Sequence, residues 1–190
     1  MARQLGETDI AALLIRVEAE ATQPSSITFL PYLTGERTPH NDPAARGAFL
    51  GLGADTTPSA MVRAVLEGVA FACVDARDCL VAAGSHFERL GVIGGGARSP
   101  FLLNIMASAL NLPLSCYEGG DKGPAFGAAR LARIACTGET VTDICVKPRI
   151  LDVVHPDPEL AAVYEKRVPH FRDLYRRLKG AFEPPDIAAI

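Results

Sequence analysis

The chain of 190 residues is 48% hydrophobic and 22% charged, which suits one globular domain or one and a half and excludes a disordered tail. A formal net charge of -3 gives no long-range attraction to nucleic acid or to an anionic membrane, so the expected partner is a small molecule or another protein. No run is long and apolar enough to span a membrane, and Arg3, Glu7 and Asp9 do not make a basic region ahead of an apolar segment, so an untargeted cytoplasmic protein is expected.

From the amino end, Thr8 to Ala21 carries Ile10, Leu13, Leu14 and Val17 among charges, the spacing of an amphipathic helix with Thr8 as N-cap. Ile27 to Leu33 is a short β-type run interrupted by Pro31. The polar loop "TGERTPHNDPAARG" follows, then a second short strand, Ala48 to Leu52. Thr57 and Pro58 suit the N-cap and first position of a helix with an apolar stripe of Met61, Val65, Val69, Ala72, Ala76 and Leu80, which Gly84 ends. Arg63 and Glu67 lie four apart on it, the spacing of a weak pair on an outer face.

Leu90 to Ile93 has the look of a buried strand, and Ser99 with Pro100 repeats the cap-and-proline signal for a helix ending near Asn111, before Pro113. Leu114 to Tyr117 is the next strand, and Gly123 to Thr137 a small-residue helix closed by Gly138. A last helix, about Pro158 to Lys179, sets Tyr164, Val168, Phe171, Tyr175 and Leu178 on one side. Its Lys166, Arg167, Arg172, Arg176 and Arg177 read as a solvated face. Strands separated by helices of this length need crossover connections, so the class is α/β with a mixed, partly parallel sheet.

Cys73, Cys79, Cys116, Cys136 and Cys145 are odd in number, form no C-x-x-C and sit in apolar stretches, as reduced, buried thiols would. His40, His86, His155 and His170 show no metal-ligand spacing, and no protein-only metal site is expected.

The stretch "GVIGGGARSPFLLN", Gly91 to Asn104, leaves a strand and enters a helix through three glycines. Helix-start N–H groups lack intrahelical partners and glycine lets a ligand approach the backbone, so the turn suits a nucleotide; a tight turn without a ligand is the plain alternative. No Lys-Ser or Lys-Thr follows where a Walker A loop requires it. A dinucleotide fingerprint is nearly met by Gly94 and Gly96, with Ser99 replacing the third glycine and Glu118 closing the next strand. An adenine or ribose pocket of an actin-like kinase also fits. In "EGGDKGPAFGAARLARIA", Gly119, Gly120 and Gly123 precede a helix lined by Gly127, Ala128, Ala129 and Ala132, which can press close to a strand or a flat ligand. Glu36, Arg37, His40, Asp42 and Arg46 suit either a substrate or interdomain contact or a solvated loop.

Four stretches in order, "FLPYLTGERTPHNDPAARGAFLGL", "RAVLEGVAFA", "IGGGARSPF" and "GGDKGPAFGAARLA", resemble the FGGY-type carbohydrate kinases, their xylulokinase branch most closely, over roughly residues 27 to 136, and the terminal helix is also similar. Gly47, Phe49, Gly51, Leu52, Ala64 and Glu67 fall on the family's second signature; Ala60 stands where that pattern has His, Asp, Glu, Asn or Gln. The resemblance implies two actin-like domains, each on a ribonuclease-H-like α/β core, with ATP and Mg²⁺ in the cleft between them. By the same resemblance Gly95, Gly96 and Ala97 contact the adenine and ribose side of the nucleotide, with Ser99 close by and the "GERTP" loop toward the cleft.

The family's Asp-x-Gly-Thr phosphate turn, sugar pocket and general-base aspartate have no counterpart in the 190 residues, nor has the Gly-Thr turn that opens its carboxyl-terminal domain, so no catalytic residue is assigned. Residues 1–190 are therefore expected to be one carboxyl-terminal, nucleotide-side domain with a terminal helix over 155–182, partnered by the amino-terminal kinase domain and inactive alone. The complete enzyme would move the γ-phosphoryl of ATP to a ketose, D-xylulose first. The rivals are a truncated, non-catalytic interaction module that pairs with another copy or the absent half, and a Rossmann-type protein with Glu118 on a ribose.

Overall fold

The computed structural model describes residues 8–182. The first helix, α1, is Ile10–Glu20, and its N-cap is Asp9 rather than Thr8: the Asp9 carboxylate accepts from the N–H groups of Ala11 and Ala12. Strands β1 (Thr28–Leu30) and β2 (Ala48–Leu50) pair antiparallel as a sheet of their own, each shorter than the runs that encode them. Helix α2, Pro58–Ala82, begins where its signals place it, with the Thr57 side chain accepting from the N–H of Ala60.

Strand β3 is Leu90–Val92, helix α3 Pro100–Leu110 and strand β4 Leu114–Tyr117. Helix α4 (Pro124–Thr137) is followed by a single-turn helix α5 (Val141–Ile144), strand β5 (Ile150–Val154) and the long α6 (Pro158–Leu178). Neither α5 nor β5 follows from the sequence pattern. The second sheet runs β3-β4-β5, with β3 parallel to β4 and β5 antiparallel to β4, so the sheet is mixed and partly parallel as the α/β class requires. A parallel dinucleotide-type sheet would have continued in one direction; this one reverses after α4.

The main core joins α1, α2, α3 and α6 to both sheets through Val17, Leu30, Phe71, Ile105, Leu114 and Phe171. Three expectations change on contact with it. The buried side of α2 carries Val62, Glu67, Ala70, Phe71 and Val74, whereas Val69 and Leu80 of the expected stripe are exposed. Polarity misled here, because the buried face contains an ion pair. Strand β3 is not buried: it forms an edge of its sheet, and Ile93 beyond it is 62% exposed. None of the five free cysteines is buried either: Cys73 and Cys116 are half-buried, and Cys79 on α2, Cys136 on α4 and Cys145 are exposed.

Candidate functional site

Because β3 and β4 are parallel, their carboxyl ends lie at the same edge of the sheet, and the two glycine turns that leave them meet. The first contains Gly94 at φ +90°, a 3-10 turn over Gly95–Arg98, and Ser99 as N-cap of α3. Ser99 Oγ accepts from the Leu102 N–H at 3.2 Å. The second contains Gly119, a 3-10 turn over Gly120–Lys122, and Gly123 at φ +58°.

Three ties join them. The Gly94 N–H donates to the Gly120 carbonyl at 2.8 Å. A Cβ on Gly123 would lie 3.2 Å from the Gly94 Cα, so the two backbones pack directly. The Arg98 guanidinium meets the Asp121 carboxylate at 2.9 Å. These ties account for Gly123 and, with the left-handed φ, for Gly94. They do not account for Gly95, whose φ is ordinary and whose missing Cβ faces open space among the described residues.

Gly95 borders a cavity of about 480 Å³, within the range of small-molecule sites, and the opposite wall is the apolar side of α1 with Ile10, Leu14 and Ile15. Ser99, Phe101, the cationic Arg98 and the acidic Glu18 of α1 also line it. Of the expected site residues, Gly95 and Ser99 face the cavity, while Gly96 and Ala97 share the turn. The contributions of α1 and Asp121 escape the sequence: nothing in an amphipathic stripe or a lone aspartate says that a distant turn comes to rest beside it.

The remaining candidates have structural partners. Glu118 is 65% exposed with Arg149 3.7 Å away, and the third fingerprint position, Ser99, caps α3. In the 34–46 loop, His40 stacks on Tyr175 of α6 with ring centroids 3.5 Å apart, and the Tyr175 hydroxyl donates to Asp42 at 2.8 Å. Burial holds His40 below the usual histidine range, and the Tyr175 hydrogen bond holds Asp42 below the usual carboxylate range.

Arg63 and Glu67 do pair, but inside: Glu67 is 1% exposed and also accepts from Arg167, the Tyr164 hydroxyl and the Ser25 N–H. Arg167 and Arg172 accordingly leave the solvated face predicted for them; Arg172 reaches Asp75 and Asp78, each at 2.6 Å. Helix α4 does not press on a strand: none of its residues is buried among the described residues. Among the described residues no group of three or more His, Cys, Asp or Glu is placed to hold a metal ion. No helix among them is long and apolar enough to cross a membrane.

This mixed sheet with its paired glycine turns is that of a carbohydrate-kinase domain by its match to a family: residues 3–136 match the model of the FGGY family of carbohydrate kinases, C-terminal domain, and the chain belongs to that family. In particular it is similar to the xylulose kinase of Escherichia coli K12, 40% identical over 178 residues, covering 93% of this chain and 37% of that relative. The xyloylose kinase of Brucella ovis superposes with a TM-score of 0.81 at 41% identity, over 95% of this chain and 37% of that one. The ligand-bound xylulose kinase of Lactobacillus acidophilus does so at 0.72 and 30% identity, over 89% and 35%. The fold is the actin-like, ribonuclease-H-like one that the resemblance implies. The chain spans 37% of the length of the E. coli relative.

Proposed function

We propose that residues 1–190 form the carboxyl-terminal, nucleotide-facing domain of an ATP-dependent ketose kinase that makes D-xylulose 5-phosphate from D-xylulose. The family match and the xylulose kinase relatives support the substrate class. Gly95, Gly96 and Ala97 lie against the adenine and ribose, and Ser99 stands at the end of the same turn. The observation that carries the assignment is Gly95, a glycine that neither backbone angle nor neighbouring side chain requires, beside a cavity wide enough for a nucleoside.

Phosphoryl transfer breaks the bond between the γ-phosphorus and the β,γ-bridging oxygen and forms one to a sugar hydroxyl, whose proton goes to a base. The described residues offer a wall for the nucleoside; the base and the sugar pocket belong to an amino-terminal kinase domain. Mg²⁺ would neutralise phosphate charge when bound with the nucleotide, and no cluster of carboxylates among the described residues stands to hold it.

Gly95→Val tests the assignment. A Cβ at this position meets no described atom within 4 Å, so the variant should melt within about 2 °C of the parent while losing at least about tenfold in ADP affinity by calorimetry. Equal ADP affinity in the two proteins would remove the nucleoside from this turn.

A further inference from the structure

We infer that the Gly119–Gly123 turn is a positioning element for the nucleotide site, with Asp121 and Gly123 holding the first glycine turn in the shape that receives a nucleoside; this rests on the nucleotide assignment above. The first turn is tied at both ends and open in the middle. At its entry, the Gly94 N–H is held by the Gly120 carbonyl, and Gly123 packs on Gly94 without a side chain between them. At its exit, Arg98 is held by Asp121. Between the ends, Gly95 faces open space and the cavity.

The second turn is itself anchored. Gly120 is buried, and a Cβ there would lie 3.3 Å from the Val92 carbonyl oxygen and 3.5 Å from the Tyr117 Cβ, so it sits against the ends of both parallel strands. A turn held this way is ordered before a ligand arrives, which lowers the ordering cost of binding. The Asp121 carboxylate also fixes where its partner Arg98 stands at the exit of the first turn.

The pair is exposed, 69% for Arg98 and 40% for Asp121, and exposed pairs add little to stability. That separates positioning from structural support. In calorimetry on the 190-residue chain, Asp121→Asn should weaken adenosine and ADP binding by the same factor, about three- to tenfold. Its melting temperature should stay within about 1 °C of the parent, and Asp121→Glu should restore most of the affinity. Gly123→Ala should weaken both ligands as well, through the contact with Gly94.

If the parent chain binds both ligands and neither Asp121→Asn nor Gly123→Ala alters their affinity, the nucleotide assignment stands and this inference alone is overturned. If the parent binds neither ligand, the nucleotide assignment falls and takes the positioning role with it.

Discussion

Glu67 is a single buried residue that gathers polar groups from three parts of the chain. Its carboxylate takes Arg63 from its own helix, Arg167 and Tyr164 from α6 and the Ser25 N–H ahead of β1, and Arg167 goes on to donate to the Ile27 carbonyl. Removing the charge strands two guanidinium groups in a site that water reaches poorly. Glu67→Gln is therefore expected to cost about 3–5 kcal/mol in urea unfolding at neutral pH; a loss under about 1 kcal/mol would show that the cluster is not held together by its carboxylate. The spacing of Arg63 and Glu67 announces their contact, because positions four apart on a helix always neighbour one another. Which way the pair faces is decided by Tyr164 and Arg167, far along the chain, and no local pattern contains that. The same blindness puts Val69 and Leu80 on the buried stripe of α2 and Arg167 and Arg172 on a solvated face.

At the scale of elements, legibility follows the range of the interactions. Thr57-Pro58, Ser99-Pro100 and Gly138 mark their helix ends correctly because a cap is made within four residues. Strand β5 is invisible by the same logic: with two of its five residues exposed and the others half-buried, it shows no alternation, and only pairing with β4 makes it a strand. The 34–46 loop is likewise ordered by a distant element, through the stack of His40 on Tyr175 and the bond from Tyr175 to Asp42.

That clasp has a pH signature. Burial lowers the His40 pKa from 6.5 although Asp75, Glu36 and Asp42 pull it upward, so the folded state prefers the neutral ring, and Lys179 reinforces that preference. The stability contributed is complete above pH 6.5 and is lost as the pH falls below it. His40→Phe keeps a ring for Tyr175 but cannot titrate. Between about pH 7.5 and pH 5.5 the parent's melting temperature should fall more steeply than the variant's; parallel curves would mean that the ring charges without cost.

At the scale of the whole, a main core and an open turn divide the described residues between them. Residues from both sheets and four helices close the core, whereas α4 contributes no buried residue and the Gly95 side of the first turn meets a cavity. Such a division suits the proposed role as one wall of a nucleotide site; the chain spans 37% of the length of its E. coli relative. The family was legible in four ordered motifs, and the place of the turn in its strand-turn-helix frame. The cavity was not, since it needs α1 folded back against Ser99 and Phe101.

The most direct measurement is a backbone amide shift map of the isotope-labelled chain titrated with ADP and, separately, with NADH. A nucleoside seated on the open turn shifts the amides of Gly95, Gly96, Ala97 and Ser99 together with those of Ile10 and Leu14 across the cavity, and ADP alone suffices. Shifts centred on Glu118 and Arg149 with NADH, or none at all with ADP, would contradict it.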